Sequence, residues 1–337
     1  MDVQPLISIV IPCRNEERFI AACLDSLLAQ TYPKTQTEII VIDGASADGT
    51  VEIIKNYLGT AAPSIRLLHN EKRYKPFSLN IGIREAHGDV IMIADAHASF
   101  SKNYLDRCVQ LMYEYDSQVV GGIRKAVASV STAQARAITN IFSHPLGVGN
   151  ATYQLGTRKP QWVDAVFGGC YRKELFDEVG LFNENLIRSQ DMEMSIRLRR
   201  AGKKILLAPD ITCTYYPKAT LKEFCHHNIA DGIWAIYPLK FVRVPLRLRH
   251  YVPLGFMISL ITLGVSGLFL PLVGIIFTSS LIVYMTIILL ISVELAQEKR
   301  DIRLFPFLAA AFMARHFGYG IGSMIGVWKL LLPNKQP

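Results

Sequence analysis

Charged side chains follow four short apolar runs within the first hundred residues of this 337-residue chain. Most of these runs are rich in β-branched residues, which is typical of a buried β-strand. The side chains that come directly after the runs are Arg14, Asn15 and Glu16, then Asp43, then Glu71, Lys72 and Arg73, and finally Asp95 and His97. One such group indicates no more than a loop charge or a helix cap. Four of them at the ends of successive strands favour a ligand-binding site.

Helical patterns separate these runs. The sequence predicts strands at residues 7–11, 38–42, 65–68 and 89–94, and helices at residues 17–29, from the loop at 43–50 to about 58, and at 76–87. Strands that alternate with helices imply right-handed crossovers and a mainly parallel sheet, so the fold class is α/β. Such sheets bind ligands beyond the carboxyl ends of their strands, where these charged groups stand.

The sequence lacks the signatures of several common classes. No GxGxxG follows the first strand and no P-loop motif occurs, which disfavours dinucleotide oxidoreductases and P-loop NTPases. The six cysteines form no CxxC pair or ligand-like spacing, so neither a zinc site nor a disulfide framework is indicated. Intrinsic disorder is excluded because half of the residues are apolar.

The apolar residues concentrate in the C-terminal part of the chain. No Asp, Glu, Lys or Arg occurs in the 44 residues from 250 to 293. A membrane crossing needs about 20 apolar residues, so residues 251–293, divided near Pro271, predict a transmembrane hairpin; a hairpin in a soluble core is the alternative. Basic residues on both sides place both flanks in the cytoplasm. They are Arg243, Arg247 and Arg249 before the hairpin and Lys299, Arg300 and Arg303 after it.

Three segments carry a resemblance to a known family. They are residues 8–17 (SIVIPCRNEE), 39–50 (IIVIDGASADGT) and 93–98 (IADAHA). Together they resemble family 2 glycosyltransferases with the GT-A fold, over about residues 6–235. The Asp-Ala-His-Ala variant and the C-terminal apolar segments resemble the succinoglycan-type exopolysaccharide glycosyltransferases of that family. The resemblance implies a Rossmann-like catalytic domain that transfers a sugar, with inversion, from a nucleotide donor, usually a UDP-sugar, with a divalent metal.

The same resemblance assigns roles to the charged strand ends. It implies nucleotide binding by Pro12, Arg14, Glu16, Asp43, Lys72 and Asp95, and metal binding by Asp95 and His97. Mn²⁺ or Mg²⁺ can bridge a diphosphate to a carboxylate and stabilise the negative charge that builds on the leaving group. The commoner motif of the family has Asp at the position of His97. Imidazole suits Mn²⁺ better than Mg²⁺, and a structural histidine is the alternative.

Residues 163–172 and 188–193 are similar to the family's acceptor loop and to its Glu-Asp base motif. Gln190 replaces the usual Glu, and Asp191 falls on the residue that acts as catalytic base, which takes the proton of the acceptor hydroxyl. Contact with the acceptor or the donor sugar is expected of Gly168, Gly169, Gln190 and Trp234, although Trp234 also suits an interfacial anchor. The residues alone indicate only that Asp191 lies in the first turn of a helix that Ser189 can cap.

The last apolar segment, residues 304–333, contains Arg315 and His316 near its middle. A charge at mid-membrane is costly. Small residues at Gly318, Gly320, Gly322 and Gly326 suit close helix packing. The segment is predicted to be a third membrane-associated helix packed on the hairpin, with Arg315 placed to meet a lipid phosphate. A re-entrant segment at the cytoplasmic face is the alternative.

These expectations combine into one organisation. A GT-A domain at residues 1–235 is followed by a basic juxtamembrane linker at 236–250, the hairpin and the third helix. We expect a multi-pass cell-membrane enzyme with a cytoplasmic catalytic domain, which transfers a sugar to a polyprenyl-linked acceptor in exopolysaccharide or cell-surface glycan synthesis. The alternatives are a polyprenyl-phosphate hexose synthase and a non-catalytic sugar-nucleotide-binding membrane scaffold. The expected partners are the nucleotide-sugar donor, the lipid-linked acceptor and membrane lipids, and not nucleic acid.

Overall fold

The structure, a computed structural model, describes residues 4–59, 63–241 and 248–332. Its strands are β1 (Ile7–Cys13), β2 (Thr37–Asp43), β3 (Ser64–His69), β4 (Val90–Ile93), β5 (Ala98–Phe100), β6 (Val119–Ala126), β7 (Gln161–Trp162), β8 (Phe167–Arg172) and β9 (Ile205–Tyr215). Its α-helices are α1 (Ile20–Leu28), α2 (Thr50–Lys55), α3 (Lys75–Glu85), α4 (Tyr104–Glu114), α5 (Ala133–Ile141), α6 (Pro145–Val148), α7 (Thr152–Leu155), α8 (Glu174–Val179), α9 (Gln190–Arg200), α10 (Leu221–Ile236), α11 (Leu248–Gly267), α12 (Pro271–Glu298) and α13 (Phe305–Leu331). The strands and helices predicted in the first hundred residues are all present, with boundaries that differ by about three residues or fewer.

The strands of the described residues form one mixed sheet in the order β3-β2-β1-β4-β8-β6-β9-β5, and β7 also pairs with β9. Strand β1 is parallel to both β2 and β4, and β2 is parallel to β3, as predicted. Strand β8 runs antiparallel to β4 and β6, and β9 runs antiparallel to β5 and β7. The sequence did not predict this antiparallel part, because glycine pairs interrupt the β-branched pattern of β6 and β8.

The parallel strands are buried on both faces of the sheet. Ile9 of β1 packs in one apolar cluster with Leu24 of α1, and Val10 packs in another with Leu79 of α3. Since successive side chains point to opposite faces of a strand, α1 and α3 cover opposite faces. Gly82 of α3 lies so close to β1 that a Cβ atom there would come 2.4 Å from Val10 Cγ1. The helix that follows β3 is therefore held tightly on the sheet.

The chain divides into two compact units. The first comprises residues 1–125 and 152–215 and is built around the sheet, and the second comprises residues 126–151 and 216–337. The predicted catalytic domain of residues 1–235 therefore extends over parts of both units. Within the predicted linker, Arg243 and Arg247 lie outside the described residues.

The second unit contains a pair of closely packed helices, α10 and α13. A Cβ atom at Gly322 would come 2.0 Å from the Ile229 carbonyl oxygen, and one at Gly326 would come 2.9 Å from the Ile233 carbonyl oxygen. Gly320 faces α11 instead, where Met257 Cγ lies 2.3 Å from the position of a Cβ atom. The small residues of α13 thus serve close packing, as predicted, but most of them face α10 rather than the hairpin.

Helices α11 and α12 form the predicted hairpin, which breaks directly before Pro271. Within the described residues, two segments are long and apolar enough to cross a membrane, namely His250–Gly267 and Pro271–Glu298. The apolar side chains of Leu268 and Phe269 at the tip are 81% and 78% exposed. Length, composition and exposure make this hairpin a candidate for membrane association.

Arg315 of α13 has partners within the second unit. Its guanidinium donates hydrogen bonds to the Asn228 side-chain oxygen and to the Gly147 carbonyl, and it lies 3.6 Å from an Asp231 carboxylate oxygen. The neighbouring His316 ring lies 2.8 Å from the Leu146 carbonyl oxygen. These contacts satisfy the charge of Arg315 with protein groups, and its contact with a lipid phosphate stays a prediction.

Candidate active site

Two of the predicted site carboxylates stand at the carboxyl ends of parallel strands. Asp43 is the last residue of β2 and is buried, and its carboxylate accepts a hydrogen bond of 2.6 Å from the Ser46 hydroxyl. Asp95 follows β4, and its side chain is 16% exposed. Both positions follow from the parallel order β2-β1-β4, which aligns the carboxyl ends of these strands.

Lys75 pairs with Asp95 and lies beside Asp191. The Lys75 ammonium donates a 2.6 Å hydrogen bond to Asp95 Oδ1 and is 3.8 Å from Asp191 Oδ2. Burial alone would raise the pKa of Asp95, but the ammonium of Lys75 and the charge of His97 hold it below its usual value. Burial acts to lower the pKa of Lys75, but the Asp191 and Asp95 carboxylates raise it above its usual value. The three groups form one charged cluster.

Asp191 lies in the first turn of α9, as predicted from its helical pattern. Ser189 stands at the N-cap with a left-handed backbone (φ 61°), and its side chain makes no capping hydrogen bond. The predicted capping role of Ser189 is therefore wrong, since the left-handed backbone differs from the extended one of a capping residue. Desolvation by the protein atoms around its carboxylate raises the pKa of Asp191, and the ammonium of Lys75 opposes that rise. The side chain is 60% exposed, so a second molecule can reach the carboxylate.

His97 is held by Glu16, which follows β1. The His97 Nδ1 atom lies 2.9 Å from Glu16 Oε1. Burial acts to lower the pKa of His97, but the Glu16 hydrogen bond and the Asp95 charge raise it above its usual value. An ionised carboxylate can only accept, so Nδ1 donates, and in the neutral imidazole Nε2 is the nitrogen that can bind a ligand. Glu16 was predicted to contact the nucleotide, and the structure places its carboxylate on His97.

Arg124 of β6 is a charged group near the cluster that sequence analysis did not single out. Its guanidinium carbon lies 4.5 Å from the ring centroid of Tyr215 and 5.3 Å from that of Phe167. The Tyr215 ring is in turn 5.8 Å from the His97 ring, and the charge of Arg124 contributes to the low pKa of Asp95. No motif could reveal this arginine, because only the antiparallel strands β6 and β9 bring it there.

The remaining predicted residues fall into different surroundings. Pro12 lies within β1 opposite Ile42 of β2, whereas Arg14 and Lys72 are exposed in loops. Gly168 has a φ of +62°, and a Cβ atom there would come 2.8 Å from the Phe100 ring. A Cβ atom at Gly169 would come 2.9 Å from the Tyr171 ring. The structure thus explains both glycines by backbone conformation and packing.

Gln190 and Trp234 were both expected near the acceptor or the donor sugar. Gln190 is 4% exposed, and among the described residues its Oε1 atom accepts no hydrogen bond. A buried oxygen of this kind can accept a hydroxyl group of a bound ligand. Trp234 lies on α10 of the second unit, with its ring 5.5 Å from that of Tyr237.

The donor set at Asp95 and His97 fits a metal ion only in part. Within the described ranges, no three His, Cys, Asp or Glu side chains are grouped to enclose a metal. Mg²⁺ commonly binds through one or two carboxylates and substrate phosphates. A histidine that ligates a metal usually donates its other N–H to a carboxylate, which is the arrangement of His97 and Glu16. The residues therefore fit a cation shared with a diphosphate.

Comparison with known proteins identifies the family. Residues 8–180 match the family described as glycosyl transferase family 2. The chain belongs to this family. It is 30% identical over 269 residues to the dolichyl N-acetyl-alpha-D-glucosaminyl phosphate 3-beta-D-2,3-diacetamido-2,3-dideoxy-beta-D-glucuronosyltransferase of Methanococcus voltae, covering 78% of this chain and 82% of that protein. It is also 30% identical to the succinoglycan biosynthesis protein ExoA of Rhizobium meliloti, covering 68% and 74%. The predicted family and enzyme class are confirmed.

A solved structure supports the fold. The mannosyltransferase PcManGT from Pyrobaculum calidifontis, in complex with GDP-Man and Mn²⁺, is similar over 97% of this chain and 88% of its own, with a TM-score of 0.62 and 19% identity. The 337-residue chain therefore has the predicted α/β, GT-A-like fold.

Proposed function

We propose that this family 2 glycosyltransferase transfers one sugar, with inversion, from a nucleotide-sugar donor to a lipid-linked acceptor at the cytoplasmic face of the membrane. The observation that carries the proposal is the cluster in which the exposed Asp191 and the enclosed Asp95 share the ammonium of Lys75. A displacement at an anomeric carbon needs a base on one side and stabilisation of the leaving diphosphate on the other. We assign the first task to Asp191 and the second to Asp95, and the shared ammonium supports this assignment.

In this mechanism Asp191 is the general base. Its carboxylate takes the proton of the acceptor hydroxyl while that oxygen forms a bond to the anomeric carbon and the bond from that carbon to the diphosphate breaks. General-base catalysis contributes about 10² to 10⁴-fold. Gln190, which precedes the base and keeps a buried oxygen without a protein donor, would accept a sugar hydroxyl and orient the reacting ring.

Asp95 and His97 Nε2 would hold a divalent cation, Mn²⁺ or Mg²⁺, which when bound stabilises charge on the leaving diphosphate. Glu16 would fix the tautomer and the orientation of His97 through their hydrogen bond. Arg124 supplies a further positive charge near Asp95. Asp43 would contact the base and ribose of a UDP-type donor. Pro12, Arg14 and Lys72, which lie at or shortly after the ends of strands, would contribute to nucleotide binding.

The second unit suggests the acceptor class. Its apolar hairpin, α11 and α12, would enter the membrane from the cytoplasmic side, with α13 as a third membrane-associated helix. A polyprenyl-linked saccharide held in the bilayer is then the acceptor. The names of the two relatives, a dolichyl-phosphate-linked sugar transferase and a succinoglycan biosynthesis protein, agree with lipid-linked and polysaccharide substrates.

The test is sugar transfer by the full chain in native-like lipid. Radiolabelled UDP- and GDP-sugars are supplied with a polyprenyl-linked saccharide, a polyprenyl phosphate, or no lipid, with Mn²⁺ or with EDTA. We expect label in the saccharide lipid and none in EDTA. Transfer to polyprenyl phosphate alone would identify a hexose synthase instead. Donor binding without transfer to any lipid would contradict the proposal.

A further inference from the structure

Side-chain hydrogen bonds hold the backbone on both sides of Lys75, at the start of α3. It is the first residue of α3, and Pro76 follows it. The buried Asn70 side chain donates hydrogen bonds to the Tyr74 carbonyl and, at 2.8 Å, to the Ser78 hydroxyl. These bonds fix the turn that leads into α3, and thereby the direction in which Lys75 leaves the backbone.

The same helix also holds the segment that leads to Asp191. The Asn80 side chain donates to the Phe182 carbonyl and accepts from the Phe182 N–H, both at 2.9 Å. Asn80 is 2% exposed, so this double contact is shielded from water. Helix α3 is thus tied to the chain before α9, and it carries the ammonium that faces both carboxylates.

Two carboxylates around one ammonium leave one negative charge without a positive partner in this cluster. Two like charges close together disfavour ionisation of both groups, and the single positive charge of Lys75 offsets that effect. A divalent cation bound at Asp95 would have to share that carboxylate with the ammonium, 2.6 Å from Oδ1. The cation and the ammonium would then lie close together, and like charges repel strongly where the surroundings are partly buried.

We propose that Lys75 is a positioning residue of the transfer reaction, which holds the Asp95 and Asp191 carboxylates in place in the donor-free enzyme and competes with the divalent cation for Asp95. The proposal rests on the function proposed above. When the cation takes Asp95, Asp191 at 3.8 Å remains the partner of the ammonium. The donor-free enzyme would then bind the cation weakly, and the negative diphosphate would bring the cation with it.

The proposal is tested by Mn²⁺ titration of the donor-free full chain in detergent, with unbound Mn²⁺ measured by electron paramagnetic resonance. Lys75→Met removes the competing charge and should tighten Mn²⁺ binding about tenfold, within the usual range of coupling between two sites. Lys75→Arg keeps the charge and should bind as weakly as the wild type. Lys55→Met is the matched control, because Lys55 is an exposed lysine at the end of α2, and its Mn²⁺ affinity should not change.

Equal or weaker Mn²⁺ binding by Lys75→Met, or tighter binding by Lys75→Arg, would overturn the proposal. If the methionine variant is poorly folded by circular dichroism, Lys75→Gln takes its place with the same expectation. With the donor present, the neutral variant should need less Mn²⁺ for half-maximal rate and have a lower kcat, because Asp191 has lost its partner; a structural role alone would not lower the Mn²⁺ requirement. The Mn²⁺ titration needs no donor. A failure to find sugar transfer would therefore reject the proposed function, whereas the titration alone decides whether Lys75 competes with the cation.

Discussion

Asp191 illustrates what a single residue reveals in sequence and in structure. Its helical pattern and its resemblance to a base motif gave two explanations that predict the same position, the first turn of α9. The structure adds the ammonium of Lys75 at 3.8 Å and an exposed carboxylate. A residue needed only for the helix dipole requires neither feature. The pair Lys75 and Asp191 could not be predicted, because Lys72, Arg73 and Lys75 are equivalent until the fold selects one of them.

Replacing Asp191 separates these two roles. Asp191→Asn should lower kcat by about 10² to 10⁴-fold and leave donor binding intact, as measured by initial rates and by nucleotide binding. The helix should lose only about 0.3 to 1 kcal/mol from the dipole interaction. Asp177→Asn is the matched control, since Asp177 is an exposed acid in the first turn of α8. Near wild-type transfer by Asp191→Asn would reject it as the base.

Glu16 gives a second prediction at this scale, because its proposed task is to orient His97. Glu16→Gln weakens the hydrogen bond to Nδ1 and should lower Mn²⁺ affinity or activity by about 10 to 100-fold. The control is Glu17→Gln, whose carboxylate binds the Gly49 N–H at 2.9 Å instead. Titration with Mn²⁺ in the presence of UDP distinguishes the two variants. Equal effects of both changes would contradict an orienting role of Glu16 and favour a nucleotide-contacting or structural role.

At the scale of elements, the parallel strands are joined by a buried carboxylate at the edge opposite the site. Glu38 of β2 accepts hydrogen bonds from the Ser8 hydroxyl at 2.5 Å and the His87 N–H at 2.7 Å, and it pairs with Arg66 at 3.1 Å. Burial acts to raise the pKa of Glu38, but the Ser8 and His87 hydrogen bonds and the Arg66 charge lower it below its usual value. Strands β1, β2 and β3 are thus linked by side chains as well as by backbone.

Glu38 should therefore make stability depend on pH. A lowered pKa in the folded state stabilises the protein above the pKa of the unfolded chain, about 4.3, and this contribution is lost as pH falls through the lower, folded-state pKa. Glu38→Gln should cost about 2 kcal/mol near neutral pH and less in acid, as read from thermal melting. Glu85→Gln removes an exposed carboxylate 3.5 Å from the same Arg66 and should change stability by less than about 0.5 kcal/mol. Equal losses at both pH values would contradict the linkage.

The elements also show where pattern-based prediction ends. Strands β1, β2 and β4 are continuous buried runs, so their positions in the chain and their parallel direction follow from the sequence, whereas their order in the sheet comes from the structure. Strands β5 and β7 are only three and two residues long, and β6 and β8 contain glycine pairs. Such segments become strands through partners distant in sequence. Arg124, which lies on β6, was therefore missed.

At the scale of the whole molecule, the proposed topology depends on the hairpin. With both flanks in the cytoplasm, Leu270→Cys at the turn should react from outside the cell with an impermeant thiol reagent, in a chain without its six native cysteines. Lys299→Cys is the matched cytoplasmic position and should react only after the membrane is opened. A hairpin that enters one leaflet without crossing would protect both positions from the external reagent. Reaction of position 299 with the external reagent would show that the topology is the inverse of the proposed one.

The division of the chain into two compact units limits how the enzyme can be shortened. Residues 126–151 leave the sheet-bearing unit and belong to the second one, where Arg136 of α5 pairs with Asp301 at 2.7 Å and Ile138 is fully buried. Truncation after residue 215 or 250 would therefore leave α5 and α6 attached while removing helices that cover them. Their apolar face would then promote aggregation. A soluble catalytic fragment needs a second cut, with residues 126–151 replaced by a short polar connection, and it should yield monomeric protein where a simple C-terminal truncation yields aggregates.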